Sequence, residues 1–231
     1  MTIRKAARKY YFSVEGETEK WYLEWLAQTI NAQSSSLYKA SIVPKVEKDP
    51  VSMAKGLSIS DKTVVTHLCD YESNDCQHAA NFKRAMDRMD AASKLGKQIK
   101  YGFGYSNFTF ELWIILHKTD CNTPFADRKQ YLTPLNKAFN ENFENLASYK
   151  EEVNFKRILS TLCLDDVSMA ISRSKRIMND NKFLHQYIEH QYKKFKYYEE
   201  NPSLMIWQSV ETILKDCGLQ QTIGVPAALR N

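Results

Sequence analysis

The residues best suited to chemistry are carboxylates that close apolar runs. "YFSV" stops at Val14 and Glu15 follows at once, then Gly16 and a helical pattern. "KTVVTHLCD" closes on Asp70, with Glu72 two residues on. Residues two apart in extended chain point the same way, so Asp70 and Glu72 share a side and Tyr71 takes the other. Three carboxylates brought together repel unless a cation lies between them, and an all-oxygen set suits Mg2+ or Mn2+. Such an ion polarises a phosphate and generates a bound hydroxide. The competing reading is three loop acids, solvated and uncoupled.

The elements around these acids follow from pattern. "KYYFSV" reads as a buried strand, Gly16 as a tight turn and Thr18 as the cap of a helix carrying Trp21, Tyr22, Trp25, Leu26 and Ile30. "ASIVPKV" is a second strand, placed at an edge by Pro44. Asp49 and Pro50 open a short helix. "KTVVTHLCD" has the dense apolar character of a strand buried on both faces. A helix over 77–95, ended by Gly96, leads to the strand "QIKYGFGYS", and Asn107 is placed to cap "FTFELWIILH". This strand–helix alternation across 9–118 predicts a parallel sheet covered on both sides, with right-handed crossovers. Glu15 and Asp70 then lie at the carboxyl ends of adjacent strands, where α/β proteins build their sites. Residues 129–216 show helical patterns and hardly any strand.

Composition bounds the rest. The chain has 231 residues, 43% apolar, with 7 Gly and 6 Pro, enough for one substantial core without long flexible linkers. The formal net charge of +5, from 32 Lys and Arg against 27 Asp and Glu, favours polyanions without requiring them. Five cysteines without a Cys-x-x-Cys pair argue against a disulfide framework or thiolate zinc site and fit a reducing, cytoplasmic setting. The N-terminus makes a poor signal peptide, and the densest apolar segment, "FTFELWIIL", is too short to cross a bilayer. No Gly-x-x-x-x-Gly-Lys loop is present, so any nucleotide hydrolysis falls to a partner. His117 and His67 read as packing residues, and His78 opens a helix within reach of a phosphate. The run "RSKR" at 173–176 and the tract "QYKKFKYYEE" at 191–200 mix cations with aromatics. They suit backbone contact with base stacking, or equally a helix whose long charged side chains cover its apolar face. On the first reading Arg173, Lys175 and Arg176, or Lys193 and Lys194, line the approach to the acids.

Three segments in order, "FSVEGETE", "THLCDYES" and "YSNFTFELWIILHK", carry a resemblance. The first two resemble the opening motifs of a Toprim domain. Together with "AISRSK" at 170–175 and "NPSLMIWQSVETIL" at 201–214, they make the chain similar to the RloB-like family of bacterial defence proteins, related to OLD-type nucleases. The resemblance implies a Toprim-like Rossmannoid sheet flanked by helices over 1–125 and a helical C-terminal extension over 126–231. It implies that Glu15 is a general acid or base, or a metal ligand. Asp70 and Glu72 match the family's Asp-x-Asp ligands, with Glu72 a departure that lengthens the reach by one methylene. Glu111 matches the acid of the Phe-Glu-Leu-Trp segment; it is also a simple helix-start acid. Phe108 stands where the family often has proline, and a basic group from the region of Tyr149 and Lys150 is expected near phosphate. The implied activity is a nuclease using Mg2+ or Mn2+ on DNA or RNA in anti-phage defence, with an ATPase partner protein and an oligomeric state. The alternatives are a non-catalytic, metal-stabilised module binding nucleic acid or a partner, and a phosphoesterase on a small nucleotide.

Overall fold

The computed structural model describes residues 5–59, 62–73 and 75–219. The first half alternates as its sequence pattern predicts: β1 (Ala7–Val14), α1 (Glu17–Asn31), β2 (Lys39–Val46), α2 (Pro50–Gly56), β3 (Thr63–Asp70), α3 (Cys76–Ala92), β4 (Ile99–Asn107) and the short α4 (Glu111–Ile115). A 3-10 turn (Arg128–Tyr131) then leads to α5 (Leu132–Phe139), α6 (Leu146–Tyr149), α7 (Glu152–Ser160) and α8 (Leu164–Phe183). The strands β5 (His190–Tyr192), β6 (Phe195–Tyr197) and β7 (Ser203–Leu204) precede α9 (Ile206–Asp216).

The main sheet has five strands in the order β2-β1-β3-β4-β7. The first four are parallel, and β7 runs antiparallel to β4 through Ser106↔Leu204 and Asn107↔Ser203. Pro44 sits on β2, an edge strand, where its missing N–H costs no ladder bond. Side-chain alternation divides the interior in two. Phe12, Val14 and Leu68 face one core with α1, α4, α8 and α9, whereas Val65, Tyr101 and Tyr105 face a second with Met86 and Met89 of α3. In α1, Tyr22, Leu23, Leu26 and Ile30 are fully covered. Each stabilises the fold by about 1.5–3 kcal/mol of burial, which holds the helix on the sheet. Gly104 makes room for a side chain of the neighbouring strand: a Cβ there would lie 2.5 Å from Leu68 Cδ2 of β3, while the Cα of Ile206 in α9 would be in ordinary contact at 3.5 Å. This is the Toprim-like Rossmannoid arrangement followed by a mostly helical region. The first core runs without a break into that region through Tyr131, Leu135, Phe155, Val167 and Val210.

Four local expectations are corrected. Thr18 does not cap α1; the cap position is Gly16, and Thr18 Oγ1 donates to Glu19 Oε2 at 2.8 Å. Asn107 does not cap α4. It ends β4, and its amide donates to the carbonyls of Glu199 and Glu200 at 3.0 and 3.2 Å, tying the sheet to the C-terminal segment. The tract 191–200 is not a helix but holds most of a β5–β6 hairpin, because Phe195 and Tyr197 are buried in the second core while Lys196 between them is exposed. Residues 203–204, expected within a helix, add the fifth strand of the sheet. Asp49 behaves as expected, accepting from the Val51 and Ser52 amides at the start of α2.

Candidate functional site

β1 and β3 are neighbours, so Glu15 and Asp70 emerge side by side at the carboxyl end of the sheet. The Asp70 amide donates to Glu15 Oε2 at 3.3 Å. Both acids line a cleft of about 530 Å³, together with Glu72. Tyr71 between Asp70 and Glu72 is 2% exposed and packs on Phe82, so the two acids share a side as extended geometry requires. The opposite wall of the cleft is a face of α3, where His78, Asn81, Ala85 and Arg88 follow at three- and four-residue spacing with Arg84 beside them. The loop from β2 to α2 contributes Lys48 and Asp49.

A second tier of charge sits close to Asp70. Glu19, in the first turn of α1, is 7% exposed, and its carboxylate folds back over Gly16, where a Cβ would come within 3.0 Å. Glu111, in the first turn of α4, is fully buried, accepts from Thr109 Oγ1 and has Lys150 Nζ at 3.0 Å. Glu15, Asp70 and Glu19 hold protons tightly. Burial first, then Glu19 and Glu72, lifts Glu15 from 4.5 to about 7 against the pull of the Asp70 amide and Lys48. Burial and the fields of Glu19, Glu15 and Glu111 raise Asp70 well above the carboxylate range, with Lys150 opposing. Burial also raises Glu19. Burial alone would lower Lys150, but Glu111, Asp70 and Glu19 outweigh it and its proton is held more tightly than usual.

Glu72 acts on Glu15 but is itself paired with cations. His78 Nε2 lies 3.0 Å from one of its oxygens and Arg128 Nη1 3.3 Å from the other. His78 also bonds Asp75 at 2.5 Å, which raises its proton affinity. The Mg2+ or Mn2+ expected from the acid triad therefore has no ready cage. Among the described residues no group of three or more His, Cys, Asp or Glu is placed to hold a metal ion. Glu72 and Glu111 are already paired with cations of the chain itself, so in this arrangement an ion bound at either of them would have to displace those partners.

A family model described as RloB-like protein matches residues 10–213. The chain belongs to the RloB-like family. No curated protein and no solved structure matches it. The match spans the strand–acid junctions, the "SNFTFELWIILH" segment and the C-terminal helices that carry the resemblance. Among the described residues no helix is long and apolar enough to cross a membrane.

The other candidates fall as follows. His117 is 1% exposed, bonded to Tyr22 Oη at 3.2 Å and to the Trp113 carbonyl at 2.9 Å, and burial keeps it neutral at about 4, so it is a core residue as read from its helix face. His67 is likewise buried, 2.8 Å from Ser13 Oγ and lowered by burial to about 4. The expected cations do not line the acid cleft. Arg173 and Arg176 pair with Asp120, Lys175 with Glu211, Lys193 with Asp87, and Lys194 donates to Ser93 Oγ. The cleft's own cations, Lys48 and Arg84, escaped sequence reasoning because only the fold brings a loop after β2 against α3. Glu19 escaped because it sits inside a helix start, although its place one turn after Glu15 was a readable signal.

Proposed function

We propose that the chain is a nucleic-acid-binding module whose cleft seats a backbone phosphate of DNA or RNA next to Glu15 and Asp70. One observation carries this reading. Lys48 and Arg84 line the same cleft as four carboxylates, Glu15, Asp49, Asp70 and Glu72, yet neither makes an ion pair with a described residue, whereas Arg88 is committed to Asp49 through two bonds of 2.7 Å. Cations left unpaired beside a cleft supply the charge-assisted contacts that a phosphate takes. The Asp49–Arg88 pair ties the β2–α2 loop to α3 and so sets the spacing of Lys48 and Arg84. The test is anisotropy with labelled DNA and RNA across a salt series, comparing the parent with Lys48→Ala/Arg84→Ala. The double variant should bind about tenfold more weakly and lose about two from the magnitude of the log–log salt slope. Lys175→Ala, whose cation is held by Glu211, should leave both unchanged. A double variant with the parent's affinity and slope ends this reading.

A second reading, metal-dependent phosphodiester hydrolysis, is favoured by Glu15. A carboxyl near 7 is about half ionised at neutral pH, the condition that suits a general acid or base. As a base it takes the proton of the attacking water while the new P–O bond forms and the ester P–O bond breaks. This reading brings in the Mg2+ or Mn2+, ATPase partner and oligomer that the resemblance implies, in an anti-phage setting. Cleavage of mixed DNA and RNA substrates with either ion, with an ATPase partner protein present, tests it. Asp70→Ala should abolish cleavage and Glu72→Asp should keep or raise it. Unchanged cleavage in Asp70→Ala places the chemistry elsewhere in the chain.

A further inference from the structure

The same sheet carries a second depression, toward the amino ends of its strands. A groove of about 750 Å³ is walled by the first residues of β1, β3 and β4 and by α9. From Lys9, on its rim, to Glu15 is six residues of strand, about 20 Å at 3.3 Å per residue, so it is separate from the acid cleft. Its floor is apolar, with the ring of half-buried Tyr10 above the buried Phe12 and Ile213. Val64 also lines it and is 54% exposed, although β3 is an interior strand hydrogen-bonded to β1 on one side and β4 on the other. Gly102 contributes no side chain, and a Cβ there would press on Thr66 Oγ1 at 3.1 Å.

The rim is basic. Lys9, Lys62 and Lys100 line the groove, and none makes an ion pair with a described residue. Among the described residues that line the groove the acid is Asp216, already held by Arg8 at 2.8 Å and by Tyr10 Oη at 3.0 Å. A second copy of the chain docked here across a two-fold axis would set these lysines against their own counterparts. An anionic occupant matches instead. Inorganic phosphate would meet the lysines and leave the apolar floor bare. A nucleoside phosphate meets both, and the volume lies within the range of small-ligand sites.

We propose that this groove is a binding site for a nucleotide, its ring against the floor formed by Tyr10 and Val64 and its phosphates at Lys9, Lys62 and Lys100. The proposal is one of binding, not of hydrolysis. The proposal is independent of the acid cleft and of the function read from it.

Calorimetric titration of the full chain with AMP, ADP, ATP and inorganic phosphate tests the assignment. The parent should bind at least one nucleotide, and bind it more tightly than phosphate. Lys9→Ala/Lys62→Ala/Lys100→Ala should weaken that binding by about tenfold or more through loss of charge-assisted contacts. All three side chains are exposed, so the fold is kept, and circular dichroism checks it. Thr212→Trp, an exposed position on the α9 wall, should block the groove sterically and act in the same direction. Lys48→Ala/Arg84→Ala should leave nucleotide affinity unchanged. Absence of nucleotide binding at millimolar concentration, or unchanged affinity in the triple lysine variant, overturns the proposal. Loss confined to the cleft variant also overturns it, because the nucleotide then sits beside Glu15. Phosphate bound as tightly as any nucleotide overturns the ring contact.

Discussion

Glu15 is a charge the fold holds at a loss, and Glu15→Gln measures that loss. In the unfolded chain this carboxyl ionises at the ordinary value of 4.5; in the native chain it does so at about 7. Between those values the folded state binds more protons than the unfolded one, so stability falls as pH rises through the window. Below 4.5 both states are protonated and the residue adds nothing; above 7 the whole penalty is present. At about 1.4 kcal/mol for each tenfold change in proton affinity, the ceiling is about 3 kcal/mol. Coupling to Glu19 and Glu72 shares part of it among neighbours. Glutamine keeps an oxygen to accept the Asp70 amide and removes only the charge. The variant should therefore match the parent at pH 4.5 and exceed it by about 2–3 kcal/mol at pH 8, a rise of roughly 5–10 °C in melting temperature for a chain of this size. Urea and thermal denaturation in EDTA from pH 4.5 to 8.5 supply the measurement. A Glu15→Gln variant no more stable than the parent at pH 8, or offset from it equally at every pH, would show that Glu15 is not the strained charge described here.

Lys150→Met should leave the Glu111 carboxylate buried without its cation and cost about 2 kcal/mol, the half-exposed lysine tempering the usual penalty; chemical denaturation of Lys150→Met/Glu111→Gln should recover most of the loss. His117→Ala should cost about 2–4 kcal/mol, since it opens a cavity between Tyr22 and Trp113 and strands the Tyr22 hydroxyl. Oligonucleotide affinity measured on the folded His117→Ala variant should equal the parent's, because the histidine is far from both cation pairs in role and serves only the core.

The strand–acid junctions were legible because they are local. An apolar run that ends in a carboxylate shows where a strand stops, and alternation with helices shows which edge it stops at. The same locality explains Pro44 and the Asp49 cap. What sequence could not supply was partnership across the fold. Glu72 reads as a ligand by spacing from Asp70, yet Arg128, more than fifty residues on, takes one of its oxygens. Arg173 and Arg176 look like free cations in "RSKR", but Asp120 claims both. Asn107 has the right chemistry for a cap, yet it ends β4 with its amide held by the carbonyls of Glu199 and Glu200, and the Oδ1 that would cap a helix takes no partner among the described residues. The β5–β6 hairpin was readable in principle, since Phe195, Lys196 and Tyr197 alternate in burial, but three-residue strands offer too short a window for period-two patterning to stand out.

Strand β7 is two residues long, yet it closes the edge beside the site. It pairs with Ser106 and Asn107, and Ser106 is the register partner of Asp70. The strand end that carries Asp70 is thus braced, through β4, by residues about 130 positions later in the chain. Synthesis proceeds from the N-terminus, so Glu15 and Asp70 leave the ribosome long before the segment that closes the edge beside them. Until residues 203–204 emerge, the carboxyl end of β4 is an open edge and α9 has no place on the sheet. A nascent or truncated chain therefore carries the acidic motifs and the lining of the cleft on a sheet whose β4 edge is not yet braced.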